Sequence, residues 1–100
     1  MEKTTLKLVT IVGEAVLEAR LIREVLRLGA KGYTLSEVQG EGSRGVRTGE
    51  LAGKNIKIET VVTPEVADRI LERLAEAYFP HYAVIAYVET VEVVRGEKYV

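Results

Sequence analysis

The residues best suited to chemistry lie in one glycine-rich segment, residues 40–53 (GEGSRGVRTGELAG), which contains five of the nine glycines. Its glycines allow backbone N–H groups to approach an anion without a Cβ in the way. Its serine adds a hydroxyl donor, and its arginines bring planar guanidinium groups that match phosphate oxygens. The residues concerned are Gly40, Gly42, Ser43, Arg44 and Arg47. These types indicate a phosphate-binding loop, although composition alone also fits an ordinary surface loop that binds nothing.

Other candidates for chemistry are few. The chain has no cysteine, which excludes disulfides, thiolate zinc sites and cysteine nucleophiles. His81 is the single histidine, and one histidine without further ligands does not make a zinc site. Glu37 and Glu59 fall on predicted neighbouring strands, where a salt bridge to Lys57 or to a loop arginine is favoured over acid–base work. No catalytic set emerges, and we expect no enzyme and no metal site.

Four segments predict the strands that would position this loop. They are short, rich in β-branched residues, and either alternating or wholly apolar in pattern. The segments are residues 7–12, 33–38, 56–62 and 83–94. The glycine-rich segment joins the second to the third, where a hairpin connection ordinarily takes about 2–5 residues.

Two segments predict amphipathic helices. Residues 14–28 carry apolar residues every three or four positions with charges between them, and Gly29 suits the left-handed residue that ends a helix. A second helix begins at Thr63, which is an N-cap hydroxyl followed by proline and an acid, and it ends before Phe79.

The resulting order, βαββαβ, predicts a single α+β domain over residues 1–100 with the ferredoxin-like arrangement. Right-handed crossovers place both helices on one face of a four-stranded antiparallel sheet. The last strand is apolar on both of its faces, through Val84, Ile85, Val88, Val91 and Val93. We therefore expect the face without helices to be covered by other subunits, because exposed apolar area is costly.

Charge and hydropathy exclude several classes of protein. The net charge is −1, which argues against a nucleic-acid-binding protein with its usual basic excess. No apolar run approaches the roughly 20 residues that span a bilayer, and no secretory signal is visible at the start. The expectation is a soluble, cytoplasmic protein that does not insert into membranes.

Several motifs together resemble the PII signal-transduction family. Residues 34–42 (TLSEVQGEG) resemble the run that leads into the T-loop of PII proteins, and residues 56–62 (IKIETVV) resemble the strand that returns from it. Residues 29–34 (GAKGYT), 42–47 (GSRGVR) and 78–83 (YFPHYA) are similar to the SbtB-type, carbon-regulatory branch. The resemblance implies a homotrimer, with a T-loop at about 40–54 and a B-loop at about 79–84.

The resemblance also implies an adenine nucleotide bound between neighbouring subunits. Thr34 and the main chain of Val61 would contact the base and ribose. The loop residues Gly40, Gly42 and Ser43 would surround the phosphates, with Arg44 and Arg47 closing over them. The neighbouring subunit would contribute the remaining contacts through Tyr82, Ala83 and Val84, and Arg95 lies near a phosphate-contacting arginine of the family.

Some positions depart from the PII pattern. Val84 stands where PII proteins have a B-loop lysine, which weakens the expectation of triphosphate binding. Arg44 replaces the glutamine that helps hold 2-oxoglutarate and magnesium, so Mg²⁺ is left undecided. The loop contains no tyrosine for nucleotidylation. The sequence contains no cysteine of the kind found in the extension of some SbtB-type proteins, so we expect neither redox switching nor linked ATP or ADP hydrolysis.

We therefore expect a regulator that binds ATP, ADP, AMP or cAMP and has no covalent cofactor. Its T-loop would respond to the bound nucleotide and control a partner such as a bicarbonate transporter or a metabolic enzyme. The alternatives are a CutA-like trimeric metal-tolerance protein, a weak nucleotide hydrolase using Glu41 or Glu50, and an assembly module without a small ligand.

Overall fold

The computed structural model describes residues 1–40 and 54–100. These residues form four strands and two helices in the predicted order. The elements are β1 (Thr4–Glu14), α1 (Glu18–Arg27), β2 (Thr34–Val38), β3 (Asn55–Val62), α2 (Pro64–Ala77) and β4 (Ile85–Val93), with short 3-10 helices at Ala15–Leu17 and Gly96–Lys98. The predicted ferredoxin-like fold is confirmed.

The four strands form one antiparallel sheet in the order β2-β3-β1-β4. The central strand β1 pairs with β3 from Lys7 opposite Val62 to Glu14 opposite Asn55. On its other side it pairs with β4 from Thr4 opposite Val93 to Val12 opposite Ile85. The shorter β2 lies at the edge and pairs with β3 alone in the described chain.

The hydrophobic core lies between the helices and one face of the sheet. Alternation along each strand sends every second residue to this face, so Val9 and Ile11 of β1 and Ile58 of β3 are almost fully buried. Leu21 and Val25 of α1 pack into the same cluster. The opposite face of the sheet has no helix, and Ile85 and Tyr87 of β4 remain 60% and 47% exposed there.

Local sequence signals fix two of the predicted helix ends, the end of α1 and the start of α2. Gly29 adopts a φ of 123° after α1, and the amides of Gly29 and Ala30 donate to the carbonyls of Leu26 and Val25. This is the Schellman arrangement, which a residue without a Cβ accommodates at low cost. At the start of α2, the Thr63 hydroxyl accepts a 3.3 Å hydrogen bond from the Val66 amide.

Several predicted boundaries were wrong, among them those of the first strand, which spans Thr4–Glu14 instead of residues 7–12. The first helix does not begin at residue 14, because Glu14 still pairs with Asn55 and the Ala15 amide donates to the Lys54 carbonyl at 3.2 Å. The α-helix therefore begins only at Glu18. The final strand begins at Ile85 instead of residue 83, since the preceding residues form a turn.

No described helix is both long enough and apolar enough to cross a membrane.

Candidate functional site

A cleft of about 420 Å³ opens beside the start of β2 and the end of β3. Three parts of the chain form its walls: the loop before β2, the sheet, and the turn that follows β4. The residues that line it are Leu8, Lys31, Gly32, Tyr33, Thr34, Glu59, Thr60, Val61, Lys98 and Tyr99. Polar, charged, aromatic and aliphatic side chains therefore meet in one concave site.

The strand register places four of these residues on the face of the sheet without helices. Thr34 lies opposite Glu59, and Leu8 lies opposite Val61. Directly opposite residues in an antiparallel pair project from the same face, and so do residues two apart on one strand. The floor of the cleft is thus apolar at Leu8 and Val61 and polar at Thr34 and Glu59.

A buried hydroxyl holds the loop before β2 against the sheet. Thr60 points to the helix side and is 2% exposed, and its Oγ1 donates a 2.6 Å hydrogen bond to the Gly32 carbonyl. Because Lys31, Gly32 and Tyr33 all line the cleft, this bond fixes one wall of the site to β3.

The charged side chains that line the cleft are positive on balance. They favour a ligand that is an anion and that also carries hydrogen-bonding groups. Lys31 and Lys98 contribute two positive charges and Glu59 one negative charge. The Glu59 carboxylate is about a third exposed and lies 3.9 Å from the Lys57 ammonium. The two form only a weak ion pair, so the carboxylate can also accept hydrogen bonds from a ligand. The Thr34 hydroxyl can both donate and accept.

The turn after β4 brings residues to the cleft that sequence reasoning missed. Arg95 adopts a left-handed conformation with φ 65° and ψ 42°. The Lys98 amide donates to the Arg95 carbonyl, and the Tyr99 amide donates to the Gly96 carbonyl. This tight turn directs Lys98 and Tyr99 into the cleft. Gly96, three residues after the end of β4, was the available signal, since a glycine near a strand often marks a close approach of another backbone segment.

The predicted contacts of the base and ribose, Thr34 and Val61, both lie in this cleft. They come from different strands, so the fold brings together two residues that are 27 positions apart. Of the predicted phosphate-binding residues, Gly40 lies just past the end of β2 and is exposed. Four predictions lie outside the described residues: Gly42, Ser43, Arg44 and Arg47.

The other predicted residues lie away from the lining of this cleft. Tyr82, Ala83 and Val84 form the turn before β4, and the Val84 side chain is buried in the core. Val84 could therefore offer a ligand its main chain but not its side chain. Arg95 is exposed at the turn that positions Lys98 and Tyr99. These four predictions concern a neighbouring subunit or a phosphate and stay predictions.

A second polar cluster ties the two helices and the 78–82 turn together. Glu24 of α1 accepts hydrogen bonds from Arg73 at 2.8 Å and from Arg27 at 2.7 Å. Burial by itself raises the pKa of Glu24, but these two guanidinium groups outweigh it and bring the pKa below its ordinary value. Next to it, burial, followed by the charge of Glu24, raises the pKa of Tyr78. This cluster stabilises the contact of the two helices with the turn, and its residues do not line the cleft.

The rival metal-binding interpretation finds no geometric support in the described part of the chain. Residues 1–40 and 54–100 contain no group of three or more histidine, aspartate and glutamate side chains placed to hold a metal ion.

Comparison with known proteins covers almost the whole chain. The family model for nitrogen regulatory protein P-II matches residues 6–98. The crystal structure of a PII-like signalling protein from Thermus thermophilus is 66% identical, over 100% of both chains, with a TM-score of 0.89.

Two structures of the protein CPII from Thiomonas intermedia are also similar. One, with ADP, AMP and acetate bound, is 25% identical and has a TM-score of 0.85. The other, with ADP and bicarbonate bound, is 27% identical and has a TM-score of 0.87. Each match covers 99% of this chain and 98% of CPII.

Proposed function

Because the chain belongs to the nitrogen regulatory protein P-II family, we propose that it is an adenine-nucleotide-binding signal-transduction protein. It acts by binding a nucleotide and a protein partner, and it is not an enzyme. ATP, ADP, AMP and cAMP are the candidate ligands. Support comes from the family match over residues 6–98 and from the ADP and AMP bound to the similar protein CPII.

The observation that carries this proposal is the joint presence of Thr34 and Val61 in one cleft. The volume of about 420 Å³ is in the range of small-molecule sites. Apolar contacts from Leu8 and Val61 suit the face of a base, while the hydroxyl of Thr34 and the carboxylate of Glu59 suit its polar edge or the ribose. Lys31 and Lys98 supply the positive charge that a phosphorylated ligand needs.

The T-loop of this proposal spans about 40–54 and follows directly from the cleft. Thr34 is the first residue of β2, and Gly40 lies two residues beyond its last residue, Val38. Backbone amides at Gly40 and Gly42 and the Ser43 hydroxyl would surround the phosphates. Arg44 and Arg47 would close over them, which gives the loop a different set of contacts with each nucleotide.

The active assembly of this proposal is a homotrimer. Ile85 and Tyr87, exposed on the face of the sheet without helices, are the kind of apolar surface that subunit contact buries. A neighbouring subunit would then contribute its B-loop, residues 79–84, with Tyr82, Ala83 and the main chain of Val84 facing the nucleotide. Arg95 would provide a further cation for the phosphates.

Regulation follows from differential affinity. A nucleotide shifts the T-loop only as far as it binds one loop state more tightly than another. The loop then binds or releases a cytoplasmic-side partner, such as a transporter or a metabolic enzyme. The likeness of several motifs to the SbtB-type branch favours control of inorganic-carbon uptake through a bicarbonate transporter. Bicarbonate bound to CPII is in keeping with that pathway.

The test is isothermal titration calorimetry of the purified protein with ATP, ADP, AMP and cAMP. It is repeated on Thr34→Val and on the double variant Arg44→Ala/Arg47→Ala. Ser36→Ala serves as the matched control, because Ser36 lies two residues along the same face of β2 and does not line the cleft. We expect micromolar binding of at least one nucleotide by the unaltered protein.

The variants distinguish nucleotide binding at this specific site from nonspecific electrostatic attraction between the nucleotide and the protein. Thr34→Val should weaken binding by about tenfold, the loss expected for one good hydrogen bond. The double arginine variant loses two charge contacts and should weaken binding by at least about tenfold. Ser36→Ala should bind as the unaltered protein does. Failure of all four nucleotides to bind would overturn the proposal and leave a protein-docking module as the better account.

A further inference from the structure

The turn before β4 is fixed on both sides of Ala83. The Val84 amide donates a 2.9 Å hydrogen bond to the Tyr82 carbonyl, so residues 82–84 form a γ-turn with Ala83 at its centre. After Ala83, the Val84 side chain is buried in the core. Before it, the Tyr82 amide donates to the Tyr78 carbonyl at 2.9 Å, just past the end of α2. The main chain of this turn therefore has a defined shape.

Ala83 is the residue of this turn with a backbone donor to spare. The amides of His81, Tyr82 and Val84 all donate to carbonyls within residues 78–82. Among residues 1–40 and 54–100, the Ala83 amide has no acceptor. An unused backbone N–H at the centre of a tight turn suits an anionic oxygen, such as that of a phosphate.

The Tyr82 side chain is held by Arg20 of α1. The Arg20 Nη1 atom donates a 2.8 Å hydrogen bond to the Tyr82 hydroxyl. The guanidinium carbon lies 5.4 Å from the ring centroids of both Tyr82 and Tyr78, within the range of cation–π attraction. The Tyr78 ring is itself part of the hydrophobic core. Arg20 thus connects the turn to α1 and to a ring that the core keeps in place.

We infer that Arg20 is a positioning residue for nucleotide binding. It holds the 82–84 turn in the conformation in which the Ala83 amide meets a phosphate of the nucleotide bound beside the neighbouring subunit. Tyr82 is the attachment point for Arg20, and its ring does not stack on the base. This inference rests on the proposed nucleotide-binding function, and it gives a role to a helix residue that does not line the cleft.

The rival role for Tyr82, stacking on the base, makes a different prediction. A stacked ring contributes through its aromatic face and needs no hydroxyl. Positioning by Arg20 needs the hydroxyl, because that oxygen accepts the hydrogen bond. Tyr82→Phe keeps the ring and removes the hydroxyl, so it separates the two roles.

The first arm of the experiment measures ADP affinity by calorimetry for Arg20→Ala, Tyr82→Phe and the two changes combined. We expect each single variant to weaken ADP binding by about fivefold, within the range for one hydrogen bond. The double variant should be no weaker than the weaker single variant, because both changes remove the same bond. Arg23→Ala is the matched control, since it removes the same charge from an exposed position of α1. It should bind ADP as the unaltered protein does.

The second arm observes the Ala83 amide directly by nuclear magnetic resonance of isotopically labelled protein. Saturation with ADP should move the Ala83 amide proton downfield in the unaltered protein and in Arg23→Ala, as expected when an amide donates to a phosphate oxygen. In Arg20→Ala saturated with ADP, the downfield shift should be smaller. A change in overall stability alone would not alter the shift at saturation.

Folding and assembly are checked by circular dichroism and light scattering. Tyr82→Phe removes a single hydroxyl and decides the matter if Arg20→Ala is not folded.

The outcomes distinguish the inference from the proposed function. ADP binding by the unaltered protein, with full affinity in both Arg20→Ala and Tyr82→Phe, would overturn the inference and leave the nucleotide function standing. Full affinity in Tyr82→Phe with loss in Tyr82→Ala would show that the ring contacts the ligand, which also overturns the inference. Absence of ADP binding by the unaltered protein would overturn both.

Discussion

Thr60 donates a 2.6 Å hydrogen bond from its buried hydroxyl to the carbonyl oxygen of Gly32, 28 positions away in the chain. The bond joins the interior side of β3 to the loop that forms one wall of the cleft. A residue of the core thus determines the position of a surface that meets the proposed ligand.

Replacing this hydroxyl should therefore affect both stability and binding. Thr60→Val keeps the shape of the side chain but removes the donor, and we expect a loss of about 1 kcal/mol in the free energy of unfolding. Nucleotide affinity should fall as well, because the loop with Lys31 and Tyr33 is no longer tied to β3. Urea unfolding and calorimetric titration measure the two effects.

Thr60→Ser is the matched control, since it keeps the hydroxyl and loses only a methyl group. It should retain more of the affinity than Thr60→Val. Equal affinity of the valine variant and the unaltered protein would show that the Gly32 contact does not shape the cleft.

Gly29 should be far less tolerant of substitution than Gly32. At Gly29 the φ of 123° is strained for any residue with a Cβ, and an added Cβ would lie 2.9 Å from Val66 Cγ2. We expect Gly29→Ala to lower the free energy of unfolding by on the order of 1–3 kcal/mol. Gly32→Ala is the control because an added Cβ there meets nothing within 4 Å. Urea unfolding of both variants measures the difference. Equal unfolding midpoints for the two variants would contradict the expected strain at Gly29.

Glu24 should make stability depend on pH in the acidic range. The pKa of Glu24 is lower in the folded chain than its ordinary value of 4.5, so protons bind the unfolded chain preferentially. Its stabilising effect is complete above that value and is lost as the pH falls through the lower value of the folded state. At neutral pH, Glu24→Gln should cost about 1 kcal/mol, since two guanidinium groups lose their carboxylate partner.

The measurement is the unfolding free energy of both proteins from neutral pH to below pH 4.5. The difference in unfolding free energy between the unaltered protein and Glu24→Gln should become smaller as the pH falls. Glu72→Gln, at an exposed position of α2, provides the control. If the difference in unfolding free energy between the two proteins stays constant through the acidic range, the charge of Glu24 does not stabilise the fold.

Arg20 and Tyr82 should be energetically coupled. The Arg20 Nη1 atom donates a 2.8 Å hydrogen bond to the Tyr82 hydroxyl, and its guanidinium carbon lies 5.4 Å from the ring centroids of both Tyr82 and Tyr78. In a double-mutant cycle, Arg20→Ala and Tyr82→Phe should lower the melting temperature by less together than the sum of their separate effects. Thermal unfolding measures this difference, and strict additivity would argue that the contact contributes nothing.

The parts of the fold that could be predicted from sequence depend on local interactions. The N-cap at Thr63 and the left-handed Gly29 need only their near neighbours. The start of the first helix was misjudged because the pairing of Glu14 with Asn55 connects distant parts of the chain, whereas helical periodicity is a local pattern. Propensity and periodicity cannot detect such a pairing.

The candidate site shows the same division. Thr34 and Val61 were predicted through motifs that resemble a known family, and both line the cleft. Lys98 and Tyr99 were not predicted, because their placement depends on a left-handed Arg95 and on the contact of Gly96 with Thr4. A positive φ at arginine is uncommon and has no sequence signature.

The short edge strand β2 has a thermodynamic consequence. It pairs with β3 over five residues, from Thr34 opposite Glu59 to Val38 opposite Asn55, and none of its side chains is buried. Such a strand opens locally at a lower free energy than the central strands do, and its amides exchange hydrogen sooner. A ligand that contacts Thr34 binds only the closed strand and so protects it by mass action. Ligand binding in the cleft should therefore slow hydrogen exchange at the amides of β2, the strand that leads to Gly40. This effect does not require any change in the average structure.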